Sequence, residues 1–469
     1  MTFSGLTFLY LFLPVFLGVY YLVPKRAKNA VLMVASLLFY AWGEPFYVIL
    51  LINLSIANYI FGYLICRFQE DKTLKRAFFV ISLAVNLAVF ASCKFSPDLV
   101  GILNRMIPGR LFSIPQLALP LGLSFYTISC ISYIVDLYTG KCKRQKNFIR
   151  HMVYITMFPK LLAGPVTLYR DIESQLGDRS TTIDGIADGI GLFIKGLAKK
   201  VLLANNLSAL TTGVLSAPIN ELPVVTAWLG IISCIFQIYF DFSGYTDMAR
   251  GLGKMIGFDL PRNFRTPFVA TSVTDFWKRW NISLVSWMRE YVYKPLGGNK
   301  KGNLYTLLNG LIFCLAVAFW HGLGLNFQMA ALFYFAVLLL ERVLLGRWLK
   351  KLPEFVCVLY TFFVTILGFV IITHDSYLGM HNYLKAMFGL VGQPFYNTET
   401  LYYLTTYLVV LVLCMLCSNN FLKSRVEKMQ KFYPKTSAWL TPVCQIVLMV
   451  VSTAYLINSP NIPFIMFQI

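Results

Sequence analysis

Long apolar runs dominate this chain, and they limit it to folds in which helices bury most of the backbone. A helix needs about 20 apolar residues to cross a bilayer, and eleven runs are clear candidates, although the second is short. With 57% hydrophobic and 13% charged residues, the composition excludes an ordinary soluble protein. We therefore expect an all-α polytopic membrane protein with about 11 to 12 transmembrane helices, counting a weaker twelfth run at 186–206. The eleven runs are 6–23, 29–43, 46–66, 77–94, 116–138, 222–245, 303–320, 326–345, 355–373, 400–418 and 437–458.

The net charge of +20 is distributed unevenly along the chain. With the N-terminus placed outside, the first three inner loops hold twelve basic residues, whereas the outer loop between Lys94 and Pro115 holds three. This asymmetry follows the positive-inside rule, so the charge predicts orientation in a cell membrane and not nucleic-acid binding. The same charge can attract anionic membrane lipids or an anionic cytoplasmic donor. The twelve residues are Lys25, Arg26, Lys28, Arg67, Lys72, Lys75, Arg76, Lys141, Lys143, Arg144, Lys146 and Arg150.

Two segments do not fit simple spans. Residues 151–165 are apolar but short, and Pro159 and Gly164 interrupt them, so a re-entrant or interfacial segment is expected. Residues 262–301 are rich in tryptophan and charge. Five residues there are spaced 3, 4, 3 and 4 apart, which predicts one face of an amphipathic helix at the membrane interface. These five are Trp277, Trp280, Leu284, Trp287 and Tyr291.

His321 is the leading candidate for chemistry. No Asp, Glu, Lys or Arg occurs from Gly302 to Leu340, so His321 in AFWHGL is the only residue there that titrates near neutral pH. Ionisable side chains inside membrane segments are costly and are candidates for function. A neutral imidazole at this helix end can act as a general base on a hydroxyl. The alternative is a histidine that hydrogen-bonds a neighbouring helix.

Two further groups are candidates for binding a substrate. Asp241, Ser243 and Tyr245 in YFDFSGYTD follow an apolar span, and they either line a polar cavity or mark the end of the helix. Three basic residues in FWKRWNISLVSWMREYVYKPLGGNK either hold the phosphates of a nucleotide-type donor or face lipid phosphates. The basic residues are Lys278, Arg279 and Arg289.

The spacing of the other histidines and of the cysteines matches no metal site, so neither a metal nor a tightly bound cofactor is expected.

Eight motifs occur in order along nearly the whole chain. They are LFLPVFLGVYYLVP, LPLGLSFYTISCISYIVDLY, FPKLLAGPV, DFSGYTDMARGLGKMIGF, NFRTPF, TDFWKRW, YKPLGGN and AFWHG. Together they resemble the membrane-bound O-acyltransferases, in particular the bacterial branch of alginate O-acetyltransferases. Each motif is modest alone, and their number and order make the resemblance specific.

The resemblance implies a ring of helices around a tunnel that joins a cytoplasmic and an outer funnel. The donor would be an acyl thioester from the cytoplasm, with acetyl-CoA expected, and the acceptor a hydroxyl of an exported polysaccharide. A partner acyltransferase outside the membrane often serves such an enzyme. His321 matches the family's catalytic histidine, and Trp277, Trp280 and Trp320 become candidates for the tunnel wall. We expect one membrane-embedded domain over 1–469, with N-terminal helices 1–138, a catalytic core 139–345 and C-terminal helices 346–469.

Two positions depart from the family's pattern. The branch usually has a second histidine after FWxRW, where this chain has Asn281, as the eukaryotic branches often do. An amide can hydrogen-bond a carbonyl or a developing oxyanion but cannot shuttle a proton. The branch also tends to end in PFIYFQF, whose tyrosine has been proposed to take the acyl group. Here the end reads PFIMFQI, with Phe464 kept and Met466 at the tyrosine position.

Methionine cannot form an acyl ester, so the departures predict direct transfer from donor to acceptor. In that hypothesis His321 is the base and Asn281 supports it, whereas the alternative for the tail is that it only packs.

Other functions stay open at this point: D-alanyl transfer to teichoic acid from a carrier-protein thioester, a lost activity, a non-catalytic scaffold, or a transporter. DFSGYTD, LGGN and the chain length favour the acetyl branch. Transporters often have two related halves, which the sequence does not show.

Overall fold

Helices account for all regular structure in the described part of the chain. The computed structural model describes residues 1–107, 119–300, 302–458 and 464, and no strand occurs in those ranges. The expected all-α fold is therefore confirmed. Such a fold suits a chain in hydrocarbon, because a helix satisfies its own backbone hydrogen bonds.

The first ten α-helices extend to residue 215, with π-helical stretches at Phe8–Phe12 before the first and at Lys199–Ala204 between the last two. They are α1 Leu13–Leu22, α2 Lys28–Gly43, α3 Tyr47–Arg67, α4 Lys72–Met106, α5 Leu123–Tyr138, α6 Phe148–Thr156, α7 Phe158–Leu161, α8 Tyr169–Gly177, α9 Ile183–Ala198 and α10 Asn205–Leu215.

The remaining α-helices begin at Val224, and two of them, α13 and α15, continue into π-helical stretches at Arg289–Tyr293 and Glu341–Leu345. They are α11 Val224–Met255, α12 Val273–Trp277, α13 Ile282–Met288, α14 Asn303–His321, α15 Leu325–Leu340, α16 Gly346–Leu349, α17 Glu354–Thr373, α18 Tyr377–Met387, α19 Thr398–Ser418, α20 Phe421–Phe432 and α21 Pro434–Asn458.

Eight helices in the described ranges are long and apolar enough to cross a membrane. Two shorter apolar helices, Phe8–Leu22 and Leu123–Tyr138, fall below that length, as does α2 with its 16 residues. The multi-pass membrane character is therefore confirmed, while the total of about 11 to 12 crossings and the tunnel remain predictions. The eight are Tyr47–Arg67, Lys72–Gly101, Val224–Met255, Asn303–His321, Leu325–Leu349, Glu354–Thr373, Thr398–Ser418 and Pro434–Asn458.

The chain divides into two compact units. The first comprises residues 1–193 and 246–261, and the second comprises 194–245 and 262–469. Two of the three boundaries, after residues 193 and 245, fall inside helices, because α9 and α11 each contribute residues to both units. The third boundary, after residue 261, lies beyond the end of α11. All the candidate catalytic and binding side chains named above belong to the second unit.

Aromatic side chains build much of the core of the first unit. Phe158, which opens α7, has its ring centroid 5.1 Å from that of Phe16 and 5.4 Å from that of Phe39. Phe3 and Phe8 complete this buried group. Edge-to-face contacts of this kind add stability beyond the area they bury, and here they hold α7 in place although it has only four residues.

The short helices α6 and α7 cover most of the segment expected to be re-entrant or interfacial. With nine and four residues, neither can cross a bilayer. His151 of α6 is fully buried, and its Nε2 lies 3.1 Å from the carbonyl oxygen of Ser55. Burial lowers the pKa of His151 to about 4, so this histidine is neutral at pH 7 and belongs to the packing of the first unit.

Glycines allow α9 and α11 to approach closely within the first unit. A Cβ added at Gly251 would lie 2.6 Å from the carbonyl oxygen of Gly189 and 2.7 Å from the backbone nitrogen of Phe193. Both neighbours are backbone atoms, which cannot rotate away as a side chain can. Small residues at close crossings are typical of helices in membranes.

We expect Gly251→Ala to lower the free energy of unfolding by about 1–3 kcal/mol, because the added methyl group forces the two helices apart. Gly18→Ala in α1 is the matched control, since a Cβ there meets no atom within 4 Å. Unfolding of both variants in detergent measures the difference. Equal stability of the two variants would contradict the close approach.

Helix α11 excludes one of the two alternatives for this segment, namely that the helix ends near Asp241. The helix continues to Met255, because the sequence beyond Asp241 contains no proline and stays apolar on one side. It stops before Gly257, whose φ of 85° lies in the left-handed region. Asp241 therefore lies in the interior of a helix.

The tryptophan-rich segment is not one amphipathic helix, so that prediction was wrong. Asn281 interrupts it with a φ of 44°, between the end of α12 and the start of α13. Asn263 stabilises the break: its carbonyl oxygen accepts from the Ile282 amide at 2.9 Å, and its side-chain oxygen accepts from the Ser283 amide at 3.1 Å. The five residues predicted on one face are therefore divided among α12, the break, α13 and the following π-helical stretch.

Candidate active site

His321 is the last residue of α14 and is held between two aromatic rings. Its ring centroid lies 4.8 Å from that of Trp320, edge-on, and 5.5 Å from that of Phe327, with an interplanar angle of 17°. Trp320 is buried and His321 half-buried. The following turn is fixed by Gln328, whose Nε2 donates to the Gly322 carbonyl oxygen at 3.1 Å. The imidazole is thus oriented by stacking on Phe327 and by the edge-on contact with Trp320, and it remains partly exposed.

One face of α15 connects His321 with the tryptophan-rich segment. Phe327, Tyr334 and Glu341 are seven residues apart, which places them on one face with about 10.5 Å between successive members. Phe327 contacts His321, and the Tyr334 ring lies 4.9 Å from the ring of Trp277, edge-on. His321 and Trp277 therefore lie along the same face of α15.

Glu341 fixes the start of α12 on the same face. Its two carboxylate oxygens accept from the backbone amides of Val273 at 2.6 Å and Thr274 at 3.0 Å, and from the Thr274 hydroxyl at 2.9 Å. A carboxylate is favourable at a helix N-terminus, where amides lack partners within the helix. Because Glu341 is buried, these bonds tie α12 firmly to the end of α15.

Phe264 of the NFRTPF motif joins the other predicted motifs. Its ring centroid lies 5.1 Å from that of Trp280, 5.6 Å from that of Tyr239 and 5.0 Å from that of Phe242. These partners come from TDFWKRW and from the segment around DFSGYTD. Trp280 also stacks on Phe276, with 5.5 Å between ring centroids. Three motifs that lie within residues 239–280 thus meet in one buried aromatic cluster.

Asn281 follows Trp280 directly and is buried. Its left-handed backbone conformation is one that asparagine tolerates better than most residues. Its side-chain oxygen has no hydrogen-bond partner in the part of the chain that the structure describes. An unsatisfied buried oxygen is costly, so this position is suited to a polar group of a ligand.

Asp241 forms a buried ion pair with Lys200, with 2.5 Å between Oδ1 and Nζ. Each side chain is only 2% exposed. Phe464 covers the pair, since Lys200 Nζ lies 4.5 Å from the centroid of its ring. Tyr245 packs edge-on against the same ring at 5.0 Å. Ser243 is also buried on this stretch of α11. The expectation that these residues line a substrate cavity stays a prediction.

The remaining predicted residues stay apart from these clusters or are not described. Arg279 Nε pairs with Asp275 Oδ2 at 2.9 Å, and the side chains of Lys278 and Arg289 are exposed. Met466 lies outside the described residues. The predicted roles of these residues remain predictions.

Outside the spans, His374 is engaged in local structure. Its Nδ1 lies 2.9 Å from the Val370 carbonyl oxygen, and burial lowers its pKa. Its ring centroid lies 4.7 Å from that of Tyr383. These contacts fit a packing role.

Sequence reasoning missed three residues that organise the site: Lys200, Tyr334 and Glu341. Lys200 carried a signal, because a lysine within an apolar run needs a partner. Glu341 carried the same signal as the first carboxylate after a long uncharged stretch. Tyr334 carried none, since a tyrosine in a membrane helix is common.

A model of the membrane-bound O-acyltransferase family matches residues 143–371 of this chain. The matched region contains His321 with its two aromatic contacts, the aromatic cluster around Phe264, and the Lys200–Asp241 pair.

Curated relatives extend the likeness to most of the chain. The probable alginate O-acetylase AlgI of Pseudomonas aeruginosa is 35% identical over 392 residues, covering 83% of this chain and 75% of the relative. A peptidoglycan O-acetyltransferase of Helicobacter pylori is 31% identical, covering 82% and 79%. A teichoic acid D-alanyltransferase of Bacillus subtilis is 27% identical, covering 59% and 70%.

Proposed function

The chain belongs to the membrane-bound O-acyltransferase family, and from this premise we propose that it moves an acetyl group from a cytoplasmic thioester to hydroxyls of a cell-surface polysaccharide. The O-acyltransferase activity follows from the family and from the O-acetyltransferases that the chain resembles over most of its length. The polysaccharide acceptor and the acetyl group are supported by the names of those relatives. Acetyl-CoA is the donor that fits an acetyl group carried as a thioester.

The observation that carries the proposal is the setting of His321. Its imidazole is the only group from Gly302 to Leu340 that titrates near neutral pH, and two aromatic rings fix its orientation. A general base must reach the proton that it removes with a fixed geometry. His321 would take the proton of the sugar hydroxyl as its oxygen attacks the thioester carbonyl. The thiolate would leave, and the proton would pass to it to give the free thiol.

Asn281 supports the same reaction. Its unpaired side-chain oxygen can accept the hydrogen of a sugar hydroxyl, and its amide hydrogens can bond a developing oxyanion. Neither role needs the proton shuttle that a second histidine would supply. Because methionine stands at the position of the tail tyrosine, transfer would be direct, with no acyl-enzyme intermediate on this chain.

The topology proposed from charge places the donor side in the cytoplasm and the N-terminus outside. Cell-surface polysaccharide would then be reached from the outer side, directly or through an acyltransferase partner outside the membrane. The membrane is proposed to be the cell membrane, where anionic lipids also attract the basic loops.

D-alanyl transfer from a carrier-protein thioester is the second candidate. It is favoured by the likeness to the teichoic acid D-alanyltransferase of Bacillus subtilis, which covers 59% of this chain at 27% identity. The O-acetyltransferases cover more of the chain at higher identity, so acetyl transfer ranks first.

Transfer from each donor, supplied separately to membranes, tests the choice between acetyl and D-alanyl transfer. Membranes that contain the chain receive acetyl-CoA or a D-alanyl carrier-protein thioester, each with a labelled acyl group, and mild alkali releases ester-linked label from polysaccharide. We expect label from acetyl-CoA and none from the carrier protein. Label from the carrier protein alone would contradict acetyl transfer. Labelled protein that forms before labelled polysaccharide would contradict direct transfer.

A further inference from the structure

A cavity of about 750 Å³ opens at the end of α15 that is remote from His321. Its wall is formed by the segment before and within α12, by the YKPLGGN segment and by the π-helical stretch after α15 with α16. All of these belong to the second unit. None of the candidate residues predicted from sequence lines it.

The wall of this cavity is rich in hydrogen-bond donors and positive charge. The side chains of Arg342 and Lys350 line it, and neither side chain makes a hydrogen bond or ion pair within the described ranges of the chain. Asn299 accepts from the Tyr293 hydroxyl through its side-chain oxygen, which leaves its amide hydrogens to donate. Ser272 likewise accepts from the Asp275 amide at 3.0 Å and keeps its hydroxyl hydrogen to donate.

Among the described lining residues Glu341 is the carboxylate, and it offsets one of the two positive charges, so the wall stays net positive. Both oxygens of Glu341 are occupied by donors of α12, as described above. The cavity therefore offers a guanidinium, an ammonium and several neutral donors, whereas its acidic oxygens are already bonded. This combination suits phosphate esters, which present several acceptor oxygens and negative charge.

The position of the cavity indicates which phosphate ester it holds. Glu341 lies in its wall, and the face of α15 leads from Glu341 through Tyr334 to Phe327, which contacts His321. Fourteen residues of helix correspond to about 21 Å. A ligand with phosphates in the cavity and an acyl carbon at His321 must carry that acyl group on a long, thin arm.

Charge places this end of α15 on the donor side. Four basic residues follow Leu340 within eleven positions, whereas the turn after His321 has none. By the positive-inside rule the basic end faces the cytoplasm. The four are Arg342, Arg347, Lys350 and Lys351.

We propose that this cavity binds the phosphate groups of the thioester donor, with Arg342 and Lys350 as the residues that hold them. The inference rests on the proposed function for the identity of the donor. It differs from the sequence-based expectation, which gave this role to Lys278, Arg279 and Arg289. An anionic lipid head group has the same phosphate chemistry, so the test must separate the two sources.

Binding of coenzyme A to the full-length chain in nanodiscs tests the proposal. The variant Arg342→Gln/Lys350→Gln is compared with Arg347→Gln/Lys351→Gln, which removes the same charge from the same segment but outside the cavity wall. We expect the first variant to raise the Kd of coenzyme A about tenfold or more, since each charge-assisted bond contributes about one power of ten. The control variant should change it less than about twofold, the range of a screened surface charge. Pantetheine, which lacks phosphates, should bind both variants as it binds the native chain.

Three outcomes would overturn the proposal. The first is equal Kd values of coenzyme A for the two variants, and the second is no binding of coenzyme A to the native chain. The third is that Arg342→Gln/Lys350→Gln binds coenzyme A as the native chain does but no longer retains the phosphatidylglycerol that the native chain retains in phosphatidylcholine nanodiscs. The third outcome would identify a lipid site.

Transfer assays separate this inference from the proposed function. An unchanged KM for acetyl-CoA in the first variant would refute the cavity and leave the function intact. Binding that depends on Arg342 and Lys350 without any acetyl transfer would support the cavity and refute the function.

Discussion

Replacing His321 by alanine is expected to lower acyl transfer by about 10²- to 10⁴-fold, the range in which a positioned general base contributes. The loss should fall on kcat more than on KM for the donor, because the imidazole acts on the hydroxyl proton. His321→Gln should be equally inactive, since a glutamine can hydrogen-bond but cannot take the proton. The initial rate of label transfer from acetyl-CoA to polysaccharide measures both variants.

His381→Ala is the matched control for this experiment. His381 lies in α18, stacked on Tyr377 with 6.0 Å between ring centroids. We expect its loss to leave the rate within about twofold, as for a surface side chain away from the site. A purely packing role for His321 would instead give a variant whose activity recovers with His321→Gln. That recovery would refute the role of general base.

Removing either charge of the Lys200–Asp241 pair is expected to destabilise the protein by about 3–5 kcal/mol, because the other charge is left buried and uncompensated. Lys200→Met and Asp241→Leu are the single variants. The double variant should be more stable than either single variant, since a buried pair can often be replaced by apolar residues at little cost. Thermodynamic unfolding in detergent, arranged as a double-mutant cycle, measures the coupling.

Lys254→Met provides the control for this cycle. Lys254 pairs with Asp188 at 3.5 Å, and the two side chains are 33% and 72% exposed. An exposed pair contributes about 0–1 kcal/mol, so this variant should unfold nearly as the native chain does. Additive effects of Lys200→Met and Asp241→Leu would contradict a coupled pair beneath Phe464.

The helical class and the catalytic candidate could both be predicted from sequence for a physical reason. Hydrocarbon forces each crossing to be an uninterrupted apolar helix, so the run from 303 to 320 predicted α14 closely. The same rule makes a lone titratable group such as His321 conspicuous. His321 stands out as a candidate because residues 302–340 contain no charged side chain, whereas its catalytic role stays a prediction.

The break at Asn281 could not be predicted, because its cause lies elsewhere in the chain. The spacing of the tryptophans fits a continuous helix, whereas Asn263, 18 positions upstream, supplies acceptors for the first two amides of α13. Glu341 likewise caps α12 from 68 residues away. Local periodicity carries no information about such tertiary hydrogen bonds.

Membranes that contain the native chain or His321→Ala, supplied with labelled acetyl-CoA and with polysaccharide as acceptor, test the central claim most directly. We expect alkali-labile label in the polysaccharide with the native chain and its loss with His321→Ala, while both chains are present in equal amount and fold alike. Label that persists with His321→Ala would contradict the claim, because the chemistry would then belong to another protein.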